Sequence, residues 1–436
     1  MRPREARTPS PAGDGVRAVR VGLLGQFGYR NFGNEASLDA VLDLLDRHGG
    51  PAVRPVVLTD APDEVRAERG TEAVPLADPD VVRSGWRRVT AKLVDVPHAW
   101  RVVGGLDAVV VPGTGILEGH AVSPFGPPFQ LALYGVVARL RRRPYLVLSV
   151  GADRRGGRAH RLMQRTVVRT ASYLSARDAG SADALAVGRR RPPVVPDVVL
   201  GLPLPDPAGA APPGARPRVA VGVVRFDWYA PADGSDAYAE RTARLTRELV
   251  RGGADVVLVV GDGADDSTAH DVAERVGDPD HVQVAAVGSV AELEHRLAGC
   301  RAVVAVRYHN LVAAIRARVP AVSLGYGPKQ RWLLEQLGDP GRAHDVGRFD
   351  PAAVARQVLA AAGTADADRA RTEPALARAR AVLVGQERTV AALLGLAGAV
   401  VPGQRSTPAP TSAPTSAPTS APTPAPTPAP LVEVTE

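Results

Sequence analysis

Arg307-Tyr308-His309 stands where an apolar run, Ala302 to Val306, gives way to a helix-like stretch, and Tyr326-Gly327-Pro328-Lys329 follows soon after. These residue types suit a small, multiply charged anion. Arginine grips phosphate or carboxylate through a planar fork, lysine supplies a point charge, and histidine changes protonation near neutral pH. At the carboxyl end of a strand they would lie where open α/β sheets bind their ligands. Taken singly, Arg307 or His309 reads more simply as a residue that caps the strand and bonds to backbone. Arg177, after Tyr173-Leu174, and Arg225, after the run Val219 to Val224, likewise read singly as surface or salt-bridging residues. Jointly with Arg307, His309 and Lys329 they would line one anion-binding pocket between domains.

A second set of candidates lies near the N-terminus. Gly22, Gly25, Gly28 and Gly33 follow the first apolar run and lead to Asn34-Glu35. Glycines let a ligand approach the backbone, and a helix start offers free N–H groups at a positive dipole end. The spacing is not that of a dinucleotide fingerprint, and Asp60 lies too far along to hold a ribose, so NAD binding is disfavoured. Asn34 is expected to cap the helix, with Glu35 in its first turn, where it would also face the cleft. Pro112-Gly113-Thr114-Gly115, followed by Glu118, and Ser149-Val150-Gly151-Ala152 are glycine turns at strand ends. They either border the same crevice or serve only tight strand-to-helix turns.

The elements that must position these residues follow a repeating pattern of apolar strand, glycine turn and amphipathic helix. Strands are expected at Val19 to Leu24, Val56 to Leu58, Ala108 to Val111, Tyr145 to Val150 and Val194 to Leu200. Leu38, Val41, Leu42 and Leu45 recur at helical spacing, which buries one face. A second series gives strands at Val219 to Val224, Val256 to Val260, Val282 to Ala285, Val303 to Val306 and Ala321 to Leu324. Continuous apolar strands alternating with helices predict an α/β fold of mostly parallel, doubly covered sheets. The expected layout is a disordered leader over 1–15, an N-terminal Rossmann-like domain over 16–202 and a proline-rich linker over 203–217. A C-terminal Rossmann-like domain over 218–349 would face the first across a cleft, followed by C-terminal helices over 350–402 and a disordered Pro/Ala/Thr/Ser tail over 403–436.

Composition narrows the function classes. Lys+Arg 53 against Asp+Glu 46 gives a net charge of +7 over 436 residues. Only Lys92 and Lys329 are lysines, so the charge is scattered arginine. With aromatics at 4% and no basic stripe, a nucleic-acid platform is not expected. Cys300, the single cysteine, excludes an internal disulfide and a cysteine-based metal cluster and reads as a small buried hydrophobe. Neither a signal-peptide core nor an apolar run near the roughly 20 residues needed to span a bilayer is present, which predicts a cytoplasmic protein.

Several blocks together carry a resemblance. Asn31-Phe32-Gly33-Asn34-Glu35-Ala36, Gly113-Thr114-Gly115-Ile116-Leu117-Glu118, Val150-Gly151, Ser175-Ala176-Arg177-Asp178, Val224-Arg225, Arg307-Tyr308-His309 and Tyr326-Gly327-Pro328-Lys329 resemble the polysaccharide pyruvyl transferase family. The resemblance runs from about Val19 to about Gly338 and is strongest in the Arg-x-His block. It implies a glycosyltransferase-B-like pair of domains, phosphoenolpyruvate as donor with no cofactor or metal, and transfer of pyruvate to a sugar or glycan as a ketal. A lipid-linked acceptor at the membrane face is among those it allows. By resemblance His309 is the general acid, Arg307 and Lys329 clamp the donor, and Arg177 and Arg225 are further donor-site candidates. Asn34, Glu35, Gly113, Thr114, Gly115 and Glu118 are then acceptor-side candidates. The sequence departs from the family pattern at Asn34, where aspartate is common, and at Thr114, inside a turn that is often all glycine. Two rivals stand beside this reading. A nucleotide-sugar glycosyltransferase of the same fold usually carries a carboxylate on the helix after the Arg-x-His strand, and Asn310 to Val319 contains none. A non-catalytic scaffold would keep the fold alone.

Overall fold

The computed structural model describes residues 17–78, 87–119, 123–206, 215–226 and 232–396. The expected leader over 1–15, the tail over 403–436 and the middle of the 203–217 linker lie outside the described residues. The first half of the chain runs β1 (Val19–Leu24), α1 (Phe32–Gly49), β2 (Val53–Thr59), α2 (Pro62–Arg69), β3 (Ala73–Pro75), α3 (Arg87–Gly104) and β4 (Ala108–Val111). It continues through α4 (Pro127–Leu140), β5 (Tyr145–Val150), α5 (Arg158–Thr170), β6 (Tyr173–Ala176) and α6 (Ala179–Ala184). The second half runs β7 (Arg218–Gly222), α7 (Ala232–Arg251), β8 (Asp255–Val259), α8 (Asp266–Val276), β9 (Val282–Val284), α9 (Val290–Ala298) and β10 (Ala302–Ala305). It ends with α10 (Tyr308–Arg316), β11 (Ala321–Gly325), α11 (Pro328–Gln336), β12 (Ala343–Asp345), α12 (Pro351–Gly363) and α13 (Ala365–Leu393).

The described residues form two six-stranded sheets, in the orders β3-β2-β1-β4-β5-β6 and β12-β11-β10-β7-β8-β9, with every pair parallel. Counted within each half, the two orders are the same, and each is the doubly wound Rossmann order. The strand order reverses between β1 and β4 in the first sheet and between β7 and β10 in the second. Ligands bind outside the carboxyl ends of strands at such switch points. The two switch points therefore locate a site before any side chain is considered.

Burial explains why the strands are continuous apolar runs. All four residues of β4, all six of β5 and all four of β10 are buried, because helices cover both faces. Helix α1 buries Leu38, Val41 and Leu45 as its spacing predicts. One hydrophobic cluster runs from a face of the first sheet through α1 into the second half.

The expected strand at Val194 to Leu200 does not form. Val194 makes only an isolated bridge to Ala176, and Val198–Gly201 is a 3-10 turn whose Val199 N–H donates to the Asp197 side chain. Pro193 and Pro196 remove ladder donors, so Val195 and Val198 to Leu200 are buried for their hydrophobicity without joining a sheet, and Val194 stays exposed. The three-residue edge strands β3 and β12 and the strand β6 complete the sheets beyond the predicted set. Among the described residues no helix is long and apolar enough to cross a membrane.

Candidate functional site

The loops after β1, β4, β8, β10 and β11, together with the end of β6, meet around one cavity of about 170 Å³. Asn34, Thr114, Gly115, Glu118, Arg177, Arg307, His309 and Lys329 line it, so eight of the predicted candidates converge there. Tyr308, Tyr326 and Gln26 also contribute to the wall. Gly113, Glu35 and Arg225 are not in its lining. The backbone N–H of Arg225 donates to Asp265 at 2.9 Å. Glu35 does stand in the first turn of α1, but it accepts from Gly28 N at 2.7 Å and from Arg69 at 3.0 Å, and it lines a different hollow. Burial pushes the Glu35 carboxyl up, and the Gly28 and Arg69 bonds only partly oppose this.

Arg307 is the N-cap residue of α10, and its extended backbone turns the side chain back across the end of β8. There its Nε and Nη2 bond Asp265 at 2.5 and 2.7 Å, a bidentate pair. Asp262 lies 3.8 Å from Nη1. Burial works against the guanidinium charge, but Asp265 overrides it and holds the pKa above the ordinary value. The arginine is thus preset in one orientation.

Arg177, from the end of β6, is only 3% exposed and is surrounded. Glu118 accepts from its Nη2 at 2.6 Å, Asp178 lies 3.5 Å from Nε, and Asp197 lies 3.9 Å from Nη1. Its plane stacks on the ring of Tyr308 from the other half, 4.2 Å from the centroid. Nη2 is hydrogen-bonded, whereas Nε and Nη1 lie farther from their carboxylates, and the residue lines the cavity as a buried charge. Lys329, in the first turn of α11, closes the set. Its Nζ bonds the second oxygen of Glu118 at 3.0 Å, and its side chain keeps 17% exposure. Glu118 therefore joins a cation of the first half to a cation of the second.

His309 lies across helix α1. A Cβ at Gly33 would overlap its ring, which is the reason a glycine stands there. Gly151 has a similar cause, since a Cβ would run into the guanidinium of Arg177 and the carboxylate of Glu118. Neither glycine serves merely as a turn. His309 Nε2 lies 3.7 Å from Asp197 Oδ2, a charge contact longer than a formed hydrogen bond. Burial tends to raise the Asp197 carboxyl, but His309 first and then Arg177 and the Val199 N–H reverse this and hold it below its ordinary range. Tyr308 is buried and its phenol is pushed far up, so it remains neutral.

Sequence reasoning missed Asp197 and Asp265. Asp197 sits inside an apolar run, and an acid there is itself a signal, because a buried charge requires a partner. Asp265 belongs to an acidic stretch, Asp262 to Asp266, at the carboxyl end of β8. The cap of α1 is Asn31, not Asn34: Asn31 Oδ1 accepts from Asn34 N at 3.2 Å. The lack of acidic residues in Asn310 to Val319 also has a packing cause, because α10 is buried from Asn310 to Arg316.

Glu118, Asp178, Asp197, Asp262 and Asp265 surround Arg177, Arg307 and Lys329, so the site is no simple positive pocket. The first turns of α1, α10 and α11 all contribute lining residues, and the positive ends of these helices offset the surplus of carboxylates. Such a site holds an anion by fixed N–H groups and preset cations, with a titratable imidazole beside them. Among the described residues no group of three or more His, Cys, Asp or Glu is arranged to hold a metal ion.

Residues 31–328 match the model of the family described as polysaccharide pyruvyl transferase. Among curated proteins no match is found. Solved structures with a similar fold include the UDP-GlcNAc 2-epimerase from Neisseria meningitidis, at 9% identity and a TM-score of 0.57, covering 85% of this chain and 99% of that one. A spinosyn rhamnosyltransferase is similar at 16% identity and a TM-score of 0.50, covering 86% and 100%. The glycotransferase of kitacinnamycin is similar at 14% identity and a TM-score of 0.53, covering 87% and 100%. At these identities the likeness is one of fold, the glycosyltransferase-B-like pairing of two Rossmann sheets.

Proposed function

We propose, for a chain that belongs to the polysaccharide pyruvyl transferase family, that it moves the enolpyruvyl group of phosphoenolpyruvate onto a sugar or glycan as a ketal and releases phosphate. It is a transferase. The observation that carries it is the convergence of His309, Arg307, Lys329 and Arg177 on one cavity at the switch points of both sheets.

Phosphoenolpyruvate carries its carboxylate and its phosphate oxygen on one carbon, so it presents two anionic groups close together. Arg307, fixed by Asp265, and Lys329, whose ammonium has more donors than Glu118 takes up, suit those groups. His309 gives a proton to the methylene carbon while an acceptor hydroxyl adds to the adjacent carbon. A second hydroxyl then displaces phosphate. In the net reaction one hydroxyl proton ends on the new methyl group and the other leaves with phosphate, so the imidazole is restored. Asp197 Oδ2 faces the ring at 3.7 Å from Nε2, and Asp197 does not line the cavity. The reading needs no cofactor or metal and sets the enzyme in the cytoplasm, where phosphoenolpyruvate is produced.

Calorimetric titration of the full chain with phosphoenolpyruvate tests the donor. A charge-assisted hydrogen bond contributes roughly 1.5–3 kcal/mol, so Arg307→Ala should weaken binding about 10- to 150-fold. Lys329→Gln is the companion variant, because it leaves the buried Arg307–Asp265 pair intact. His309→Ala should keep donor affinity within about tenfold while abolishing turnover. Binding of UDP-sugars with no response to phosphoenolpyruvate would move the function to glycosyl transfer.

A further inference from the structure

Arginines that look scattered along the sequence are gathered by the fold on one face of the first sheet. Right-handed crossovers put α3, α4 and α5 on the face opposite α1 and α2. Beneath them lies a hydrophobic cluster of their own, whereas α1 packs in the cluster that runs into the second half. The outer surface of α3 to α5 is therefore turned away from the second half. Helix α3 carries four basic residues, α4 with the turn after it another four, and α5 four more. Against these stands one acid, Asp95, which is buried.

We infer that this face docks the protein on an anionic membrane surface, its apolar side chains entering the headgroup layer and its arginines holding the negative headgroups. The inference does not depend on the donor or acceptor proposed above. Three observations carry it.

Large apolar side chains are exposed here out of proportion. Of the twelve exposed ones among the described residues, seven lie on α3, α4, α5 or the loop before α4. Val96 and Trp100 share one face of α3, and Val136 and Leu140 share one face of α4, each pair at i, i+4. The guanidinium of Arg141, next to Leu140 in the chain, lies 4.3 Å from the Trp100 ring centroid and joins the two pairs. Trp100 is 43% and Leu140 66% exposed. Apolar residues exposed singly need no explanation, but a cluster of them within a polar rim marks an interaction surface.

The cations around that cluster are not taken up by carboxylates. Arg101, Arg139, Arg142, Arg158, Arg165 and Arg169 are exposed, and among the described residues none of them has an acidic partner within ion-pair distance. Arg143, by contrast, pairs with Asp107 at 3.4 Å. The basic end of α4 would suit its helix dipole without any ligand. That account fails for α5, which begins with Arg158 and holds no acid in its first turn, where the dipole disfavours cations.

The mixture of the two selects the partner. An anionic bilayer attracts arginine by its surface potential and takes tryptophan and leucine at the headgroup level, so it complements both features. RNA would answer the charge but leave Val96, Val136 and Leu140 unmatched, since bases stack on aromatic rings. A second copy of the chain would set arginines against arginines. No helix among the described residues is long and apolar enough to cross a bilayer, so the contact is a peripheral one.

Flotation of the full chain with vesicles tests this, phosphatidylcholine alone against an equal mixture with phosphatidylglycerol. The chain should bind the anionic vesicles at physiological ionic strength roughly tenfold or more tightly than the neutral ones, and less as salt is raised. Arg142→Glu with Arg165→Glu should lower that binding roughly tenfold or more. Arg348→Glu with Arg356→Glu, a control pair exposed on the second half, should leave it within about twofold. Val136→Ser with Leu140→Ser should lower binding about threefold or more while keeping its salt dependence. These side chains are exposed, so circular dichroism should find every variant folded as the wild type is. No binding to anionic vesicles, equal loss in the two arginine pairs, or wild-type binding by the serine variant would each overturn the inference. So would capture of the face by polyuridylate or polyglutamate with no binding to vesicles, which would assign it to RNA or to an acidic protein.

Discussion

Asp197 shows how one carboxylate serves two ends. Its Oδ1 accepts from Val199 N at 3.0 Å and so shapes the 3-10 turn, while Oδ2 faces His309 and Arg177. Its folded-state pKa lies below the ordinary 3.8. The charged form is therefore favoured by folding, and its contribution to stability is whole above pH 3.8 and is lost as pH falls through the depressed folded value. Thermal unfolding of Asp197→Asn beside the wild type, at steps from pH 7 to pH 3, should show a deficit that is largest near neutrality and shrinks toward the acid end. A deficit that stays constant with pH would mean that Asp197 contributes through shape alone.

Helix α1 is the element on which the site depends most closely. Its cap, Asn31, bridges to the other half, its third residue, Asn34, lines the cavity, and Gly33 between them leaves space for the His309 ring. In an ordinary helix interior, Gly→Ala gains about 1 kcal/mol from propensity. Here the added methyl would push the imidazole off its rotamer, a cost of about 0.5–1.5 kcal/mol. Gly33→Ala should therefore change unfolding free energy by less than about 1 kcal/mol, yet lower turnover tenfold or more. Unimpaired turnover would show that the ring position is not what the reaction needs.

The two sheets are joined by more than the cleft contacts. Helix α13 follows the second sheet in the chain but returns to the first: Gln386, buried, accepts from Ser175 Oγ at 2.5 Å and Tyr173 OH at 3.2 Å and donates to Ser149 Oγ at 3.2 Å. Beside it Glu387 takes both ends of Arg47 from α1, at 2.8 and 3.0 Å. The continuous apolar cluster through α1 includes Leu383 and Val390 of the same helix. Replacing Gln386 with leucine would leave the buried Ser149 and Ser175 hydroxyls and the half-buried Tyr173 hydroxyl short of a partner, at roughly 1–3 kcal/mol by the cost of unmade bonds. Urea unfolding should register that loss while calorimetry finds phosphoenolpyruvate affinity unchanged, because Gln386 does not line the cavity. A loss under about 0.5 kcal/mol would mean that the return of α13 is held by its apolar contacts instead.

Much of this protein is legible from local pattern. Buried parallel strands are continuous apolar runs, so Val19 to Leu24, Ala108 to Val111 and Tyr145 to Val150 match β1, β4 and β5 to the residue. The Arg307-Tyr308-His309 block also declares itself, because charged residues directly after such a run must either meet a ligand or find partners. What those partners are was not legible. Arg307 meets Asp265, His309 faces Asp197, and Glu118 joins Arg177 to Lys329, pairs far apart in sequence. Sequence pattern reports what an element buries within a few turns of itself. Which carboxylate faces which cation is set by strand order and by the packing of one half on the other, and only the tertiary structure decides that.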